Sequence, residues 1–408
     1  MESTGETIIK STAEPSKPSP ELRPTETYNP YDKSTVITKL QERKSEKHPL
    51  RIAFFDVDST ITGDREKTNL IRKKLEDLGY VVVFVTSRTE EMIMSKEQQE
   101  KSSSLKRPMA QLGKDEQGKR VTIDPKDVEP EGVLDPDIIA GSTGSRVLVK
   151  QKEGGYQVDT GFELQMKMES EAWRTGIIKL INYINKEKLF CQPIPIEDAQ
   201  NFAKRETDVF PPNFRIQVNF PNLESYQQFL EKINQFKLTK RSDLLSQGLD
   251  ASSVENVLNL KITDDSKPTQ KKFSAYLTPT HGYKARAEEE IVKQVCERLK
   301  IGREDLEILI AGDSFPDLGM GLYGGLDTNA TFILAGQSRL TQPLITREID
   351  EFAGVGLKAV KNRLSQNGQG RYEFKPPLLK ARKLVIGHEA YPGTSNQDSI
   401  LAFLNELH

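Results

Sequence analysis

The feature that most constrains the fold is a pair of apolar segments separated by an amphipathic one. Residues 52–55, Ile-Ala-Phe-Phe, stop at a carboxylate, as a buried parallel strand does. Residues 65–78 carry leucine and isoleucine at helical spacing and end at Gly79. Residues 81–85, Val-Val-Val-Phe-Val, form a second β-branched run. This order predicts a right-handed βαβ unit, as found in sheets that are parallel and covered by helices.

The same pattern of apolar strand and amphipathic helix returns late in the chain, after a region with a different pattern. Residues 288–300 predict an amphipathic helix, and residues 306–311 predict an apolar strand. In between, the patterns predict helices at 173–188 and 223–236 and an alternating strand at 214–220. We therefore predict an α/β fold, with a doubly wound, Rossmann-like core around a parallel sheet and a smaller α+β domain inserted into it.

The predicted organisation divides the chain into four parts. Residues 1–48 are rich in Ser, Thr, Pro, Lys and Glu, and we interpret them as a disordered tail. Residues 49–154 form the first part of the core, with a polar, flexible excursion at 95–131. The inserted domain spans 155–275, and residues 276–408 complete the core and end in a helix.

Composition excludes several classes of function. The 58 Lys and Arg residues nearly balance the 60 Asp and Glu residues, so we expect no nucleic-acid partner. No apolar run approaches the roughly 20 residues of a membrane span, so we expect no membrane insertion. Cys191 and Cys296 are far apart and no secretory signal is visible, which favours a reducing, cytoplasmic compartment. The oligomeric state is left open.

Two aspartates directly follow the first predicted strand. Asp56 and Asp58 stand at its carboxyl end, the edge of an open α/β sheet where ligands bind. Paired carboxylates there attract a hard cation such as Mg²⁺. One carboxylate can also attack a phosphoryl group while the other handles the proton of the leaving group. A helix N-cap beside a solvated aspartate produces the same short pattern, so this pair alone leaves both interpretations open.

Three further elements favour the chemical interpretation. The second strand ends in Thr86 and Ser87, whose hydroxyls and loop amides suit phosphate oxygens. The late strand ends in a second carboxylate pair, Asp313 and Asp317, at the same predicted edge. Lys284 stands just before a predicted helix, where it can neutralise the charge of a nucleophile and a phosphate. Together these elements predict Mg²⁺-dependent phosphoryl chemistry.

These motifs resemble those of the haloacid dehalogenase (HAD) superfamily. Its DxDx[TV] motif matches residues 56–60, its strand ending in Thr or Ser matches 86–88, and its GDSxxD motif matches 312–317. Its motif lysine matches Lys284. The resemblance covers roughly residues 50–335, with the inserted domain between the second motif and the lysine. That placement is similar to the C2-capped group, which includes Cof-type sugar phosphatases and sucrose-phosphate phosphatase.

The resemblance implies how phosphate is bound and transferred. Asp56 would be the nucleophile that forms an aspartyl-phosphate, and Asp58 would be the general acid and base. Thr86 would donate a hydrogen bond to the phosphoryl group, and Lys284 would stabilise its charge. Ser87 belongs to the same phosphate-binding segment, although it replaces the more common glycine of that motif.

The resemblance also implies a Mg²⁺ site. Asp56, Asp313 and the backbone carbonyl of Asp58 would ligate the ion, and Asp317 would orient the site or the lysine. Phe315 and Pro316 replace the usual Gly-Asn before the last aspartate. Neither substitution removes a charged group, so activity is expected.

The sequence favours a Mg²⁺-dependent phosphatase whose partner is a small phosphorylated metabolite, with sugar phosphates first. One alternative is a transferase, either a phosphomutase with the same aspartyl chemistry or a DxD glycosyltransferase. A glycosyltransferase has no need of the second carboxylate pair or of Lys284. The other alternative is a non-catalytic HAD-fold binding protein, which has no need of both Asp56 and Asp58.

Overall fold

The structure is a computed structural model, and the statements below concern the residues that it describes. These residues are 29–58, 60–86, 88, 93–102, 111–114, 120–123, 135–141, 144–186, 216–238, 241–246, 260–264, 273–279, 283–313, 317, 320, 330–335, 364–374 and 381–407.

The described residues form fifteen strands and nine α-helices. The strands are β1 Leu50–Phe55, β2 Tyr80–Val85, β3 Gln111–Lys114, β4 Arg120–Ile123, β5 Ile138–Gly141, β6 Arg146–Lys150, β7 Tyr156–Val158, β8 Ile216–Phe220, β9 Leu260–Asp264, β10 Phe273–Pro279, β11 Leu306–Gly312, β12 Ala330–Leu334, β13 Leu364–Gln366, β14 Arg371–Phe374 and β15 Ala381–Ile386. The helices are α1 Thr35–Ser45, α2 Arg65–Asp77, α3 Lys96–Lys101, α4 Thr160–Lys186, α5 Leu223–Leu238, α6 Arg241–Ser246, α7 Tyr283–Leu299, α8 Gly387–Ala390 and α9 Asn396–Glu406.

Ten of these strands form one large sheet, in the order β13-β14-β15-β12-β11-β1-β2-β5-β6-β7. The six strands from β15 to β5 run parallel. Antiparallel strands extend the sheet at both edges. Strand β1 is central, with β11 on one side and β2 on the other. Because these three strands are parallel neighbours, the residues that follow them meet at one edge of the sheet.

Apolar layers cover both faces of this sheet. Strand β2 is buried along its whole length, as its run of β-branched residues predicts. On one face, α2 places Ile71 and Leu75 against the sheet, and α9 adds Phe403. On the other face, α7 buries Ile291 and Val295. The sheet is thus a buried scaffold whose carboxyl edge is held in place from both sides.

A second, smaller sheet contains β8, β10 and β9, all antiparallel. Phe220 of β8 packs against Tyr226 and Phe229 of α5, with ring centroids 5.3 and 5.0 Å apart. Together with the large parallel sheet, this α+β unit confirms the predicted fold class. The predicted limits of 155–275 differ slightly from the strands, because β7 belongs to the large sheet and β10 runs to Pro279. Helix α4, predicted only from residue 173, begins at Thr160.

The prediction of a disordered tail over residues 1–48 is wrong for its last part. Residues 35–45 form α1, whose N-cap Ser34 accepts a hydrogen bond from the backbone N–H of Ile37. Val36, Ile37 and Leu40 are buried, and each contributes roughly 1.5–3 kcal/mol of hydrophobic stabilisation. This helix was not predicted, because the many polar residues upstream dominate the composition of the region. Residues 1–28 lie outside the described residues.

The polar excursion predicted as flexible at 95–131 is ordered where it begins. Helix α3 packs onto the core, because the Gln98 side chain accepts a hydrogen bond from the N–H of Gly155 at 2.6 Å. The buried Ser102 hydroxyl accepts another from the N–H of Tyr156 at 2.8 Å. Strands β3 and β4 form a hairpin further along. The remainder of this segment lies outside the described residues.

The predicted C-terminal helix is present as α9, and it packs against α2. Gln397 joins the two regions, since its side-chain amide donates to the carbonyl oxygens of Ile61 and Asp64. Cys296 forms no disulfide within the described residues. Among the described helices, none combines the length and apolar character needed to cross a lipid bilayer.

Candidate active site

The site begins where β1 ends. Asp56 is 4% exposed, and its backbone N–H donates to the carbonyl oxygen of Ala311 at 2.9 Å, which continues the pairing with β11 for one more residue. Its side chain turns toward the ammonium of Lys284, with Oδ1 2.6 Å from Nζ. The aspartate is therefore held at both its backbone and its side chain.

Lys284 joins two buried carboxylates. Its Nζ lies 2.6 Å from Asp56 Oδ1 and 2.6 Å from Asp317 Oδ1, and all three residues are buried. Helix α7 begins at Tyr283, earlier than the predicted start at 288, so Lys284 lies in its first turn and not just before the helix. The helix dipole disfavours a cation in that turn, and the two carboxylates supply the compensating charge.

The buried charges change one another's proton affinity. Burial raises the pKa of Asp56 to about 7, Asp317 and Asp313 add to this rise, and Lys284 opposes it. Burial and the charge of Asp317 also raise the pKa of Asp313. Burial lowers the pKa of Lys284, but Asp317 and Asp56 outweigh that effect, so the lysine pKa is raised and the ammonium stays charged. Three carboxyl groups share one ammonium in this cluster, and a further positive charge there would lower the raised carboxyl pKa values.

Three carboxylates of this cluster lie close enough to share one cation. Asp56, Asp313 and Asp317 each offer an oxygen within 4.8 Å of the other two. Thr60 lies between two of them, with Oγ1 3.4 Å from both Asp56 Oδ2 and Asp313 Oδ1. Oxygen donors at this spacing suit a hard divalent ion, and two positive charges would balance three carboxylates and one ammonium. The residues present therefore fit Mg²⁺.

Gly312 makes room for this arrangement. A Cβ at this position would lie 2.1 Å from Asp317 Cβ and 2.5 Å from its Cγ. No side chain larger than hydrogen fits there unless Asp317 moves. The glycine of the GDSxxD motif is thus a packing requirement, because it lets the second carboxylate of the pair reach Lys284.

A second polar pair lies at the mouth of the site. The guanidinium of Arg88 contacts Asp58 Oδ1 through Nε at 2.7 Å and Nη2 at 2.6 Å. The Asp58 side chain is 44% exposed, whereas that of Arg88 is 14% exposed. We call Asp56, Lys284, Asp313 and Asp317 the inner cluster, and Asp58 with Arg88 the outer pair.

Thr86 connects the outer pair to the sheet. Its N–H donates to the carbonyl oxygen of Ala140 at 2.9 Å, and its Oγ1 accepts from the N–H of Arg88 at 3.0 Å. Because this bond uses a lone pair of the buried hydroxyl, the Thr86 O–H remains oriented to donate elsewhere. A phosphate oxygen at this edge would accept that hydrogen bond.

The structure brings together four of the seven predicted site residues in the inner cluster. Asp58 lies at the same edge but pairs with Arg88, and Thr86 follows the neighbouring strand β2. Ser87 lies outside the described residues. Sequence reasoning quoted Thr60 and Arg88 within motifs but assigned them no role. A signal for Arg88 was present, because an arginine and an aspartate follow two adjacent parallel strands.

Comparisons with known proteins gave matches among solved structures. Neither the protein-family models nor the curated proteins gave a match. A sucrose-phosphatase from Synechocystis sp. PCC6803, in complex with sucrose and phosphate, is 15% identical with a TM-score of 0.37, over 74% of this chain and 88% of that one. A haloacid dehalogenase-like hydrolase from Bacillus subtilis is 14% identical with a TM-score of 0.36, over 78% and 100%.

A third match is the IMP-nucleotidase of Plasmodium falciparum, which is 13% identical with a TM-score of 0.28, over 70% of this chain and 62% of that one. These three proteins are a sucrose-phosphatase, a haloacid dehalogenase-like hydrolase and a nucleotidase. Within the chain itself, the residues of all four HAD-like motifs meet at one sheet edge, at the carboxyl ends of β11, β1 and β2.

Proposed function

We propose that this chain is an HAD-type phosphomonoester hydrolase that acts on a small phosphorylated metabolite through an aspartyl-phosphate on Asp56. The observation that carries the proposal is the buried Lys284 ammonium, 2.6 Å from both Asp56 and Asp317. Burying these charges is costly, and a structural role would be met as well by apolar side chains. A nucleophile that must approach a phosphate dianion has a use for a fixed cation beside it.

In the proposed first step, an oxygen of Asp56 attacks phosphorus and the bond from phosphorus to the leaving oxygen breaks. Asp58 gives its proton to that oxygen, so an alcohol departs and a phosphoryl group remains on Asp56. Lys284 and the Thr86 hydroxyl bind the equatorial phosphate oxygens, where negative charge must be stabilised.

In the proposed second step, a water molecule attacks phosphorus on the phosphorylated Asp56. Asp58, now a carboxylate, takes the proton from that water, and the bond from phosphorus to Asp56 breaks. Inorganic phosphate leaves, and both aspartates return to their starting states. Because Asp58 is 44% exposed, it is accessible both to the departing alcohol and to the incoming water.

We propose Mg²⁺ as the cofactor. Asp56, Asp313 and the backbone carbonyl of Asp58 would hold it, with Asp317 orienting the site and Lys284. When bound, the ion would supply positive charge toward the phosphate oxygens and offset the repulsion between phosphate and carboxylates. The donor set of oxygen atoms and the excess of carboxyl groups over ammonium groups in the inner cluster support this assignment.

We place sugar phosphates first among the substrates and the cytoplasm first among compartments. The substrate choice follows the resemblance to the C2-capped sugar phosphatases. The compartment follows the scarcity of cysteine, since the chain has only two. Phosphoryl transfer to a second alcohol is the main alternative, since it would use the same inner cluster with another acceptor in place of water.

The test is phosphate release from a panel of sugar phosphates and nucleotides, with Mg²⁺ and after its removal with EDTA. Asp56→Asn keeps the shape of the side chain but removes its charge, so we expect at least about a 10⁴-fold loss of turnover. Asp77→Asn is the matched control, because Asp77 is exposed at the end of α2, away from the site.

Metal-dependent release that is retained in Asp77→Asn and lost in Asp56→Asn supports the proposal. A folded wild-type protein that releases no phosphate from any member contradicts the hydrolase assignment. Transfer of phosphate to an added sugar, without release, would favour the transferase alternative instead.

A further inference from the structure

The outer pair has a geometry that a surface ion pair does not require. Nε and Nη2 of the Arg88 guanidinium both contact Asp58 Oδ1, at 2.7 and 2.6 Å. Among the described residues, Arg88 is the only hydrogen-bonding or ionic partner of the Asp58 carboxylate. The other oxygen, Oδ2, makes no hydrogen bond or ion pair with any described residue.

Arg88 is itself held in place by the sheet. Its backbone N–H donates to Thr86 Oγ1, and the N–H of Thr86 donates to Ala140 of β5. The arginine side chain is mostly buried, so its guanidinium has little freedom to leave Asp58. The orientation of an exposed carboxyl group on the β1 loop is therefore set by the neighbouring strand β2.

We propose that Arg88 is a positioning residue that aims Asp58 as the proton donor to the leaving oxygen. This inference rests on the proposed function and adds a residue to it. An exposed aspartate would otherwise sample several rotamers, and only some would place Oδ2 near the leaving oxygen. Arg88 also faces the carboxylate that Asp58 becomes when its proton departs, and a charge-assisted bond stabilises that product.

The proposal predicts a specific kinetic signature. A leaving group that is a weak base departs without help, whereas a more basic one needs a proton in the transition state. Loss of Arg88 should therefore slow the release of basic leaving groups far more than that of acidic ones. A residue that only binds phosphate would affect both alike, because the transferred group is the same.

The experiment uses the full chain with Mg²⁺ and a series of substituted phenyl phosphates that runs from p-nitrophenyl to p-methoxyphenyl phosphate. With enzyme in excess, release of the phenol in the first turnover reports the bond-breaking step alone. For Arg88→Ala we expect about a 100-fold loss with p-methoxyphenyl phosphate and less than about a 5-fold loss with p-nitrophenyl phosphate.

Three variants make this result specific. Arg72→Ala is the matched control, because Arg72 forms an exposed pair with Glu76 on α2, and it should leave the series unchanged. In an Asp58→Asn background, Arg88→Ala should not increase the dependence of the rate on leaving-group basicity any further, since the proton donor is already absent. If Arg88→Ala does not fold, Arg88→Gln takes its place with the same expected direction, because Gln lacks the paired N–H contacts.

Equal losses across the series would overturn the role of Arg88 and leave the hydrolase assignment intact. Additional steepening by Arg88→Ala within the Asp58→Asn background would also overturn it, because Arg88 would then act without Asp58. A folded wild-type protein that cleaves none of the phenyl phosphates and no member of the sugar phosphate panel would instead remove the proposed function, and this inference with it.

Discussion

The inner cluster and the outer pair place two aspartates, only two residues apart in sequence, in opposite surroundings. Asp56 is buried against a buried lysine and two further carboxylates. The Asp58 side chain is 44% exposed and contacts Arg88. In the proposed mechanism the inner aspartate attacks phosphorus, and the outer one exchanges protons with the leaving group and with water. Environment, rather than residue type, thus separates the two roles.

The largest expected effect comes from removing the cation of the inner cluster. Lys284→Met keeps the length of the side chain but leaves Asp56 and Asp317 buried without their partner. We expect a loss of about 3–5 kcal/mol in the free energy of unfolding and loss of activity. Urea unfolding with Mg²⁺ absent measures the first effect. Arg88→Met is the comparison, and its cost should be about 1 kcal/mol or less because Asp58 is exposed. Equal losses of unfolding free energy in Lys284→Met and Arg88→Met would show that the inner cluster and the outer pair do not differ in this way.

The next effect concerns the outer pair in catalysis. Asp58→Asn should reduce turnover by at least about 100-fold, because the variant can neither donate the first proton nor accept the second. Its stability should change little, in contrast with Lys284→Met. Rapid-quench turnover and thermal unfolding of the same sample measure the two quantities. A variant with normal turnover would show that the exposed aspartate has no acid or base role.

A smaller effect is expected from crowding the inner cluster without changing its charge. Gly312→Ala places a methyl group where Asp317 Cβ would be only 2.1 Å away, so we expect about 1–3 kcal/mol of destabilisation and weaker Mg²⁺ binding. Gly161→Ala is the matched control in α4, where the nearest atom to a new Cβ is 3.6 Å away. Isothermal titration measures Mg²⁺ affinity, and urea unfolding measures stability. Equal Mg²⁺ affinity and equal stability in the two variants would contradict the packing role of Gly312.

The smallest effect is expected at an ion pair that belongs to neither region. Lys67 on α2 contacts Asp398 on α9 at 2.8 Å, and the hydrogen bonds from Lys67 and Ser395 hold the pKa of Asp398 below its ordinary value. Because this pKa is lowered on folding, the pair stabilises the protein above the ordinary aspartate pKa, and the effect disappears as the pH falls through the folded value. Asp398→Asn should lower the unfolding midpoint slightly at pH 7 and not in strong acid. A larger loss of stability in Asp398→Asn than in Gly312→Ala would contradict the predicted order of effects.

The sequence predicts the regions where one local signal suffices, and it misses those that depend on tertiary partners. Apolar runs that end at Asp56, Thr86 and Asp313 predict three strands, and in the structure they are neighbours in one sheet. The Lys284 contacts with Asp56 and Asp317 span 228 and 33 residues, so no local pattern gives their distances.

The misses have a common physical cause. Helix α1 has only three buried apolar residues in a polar neighbourhood, and docking onto the sheet, partly through Lys39 and Asp137, stabilises it. The pairing of Arg88 with Asp58 likewise depends on side-chain geometry between the loops after two neighbouring strands, which no local pattern sets. Both features are contacts between segments, which the folded chain reveals.

The central claim is that Asp56 becomes phosphorylated, and the most direct test is to locate that phosphoryl group. The protein is mixed with Mg²⁺ and p-nitrophenyl phosphate or the best substrate of the panel, quenched in acid within the first turnover and mapped by mass spectrometry. We predict an acyl phosphate on Asp56 that accumulates in Asp58→Asn and is absent from Asp56→Asn. Phosphate release in the wild type with no phosphorylated carboxylate, or with the label on another residue, would contradict the account.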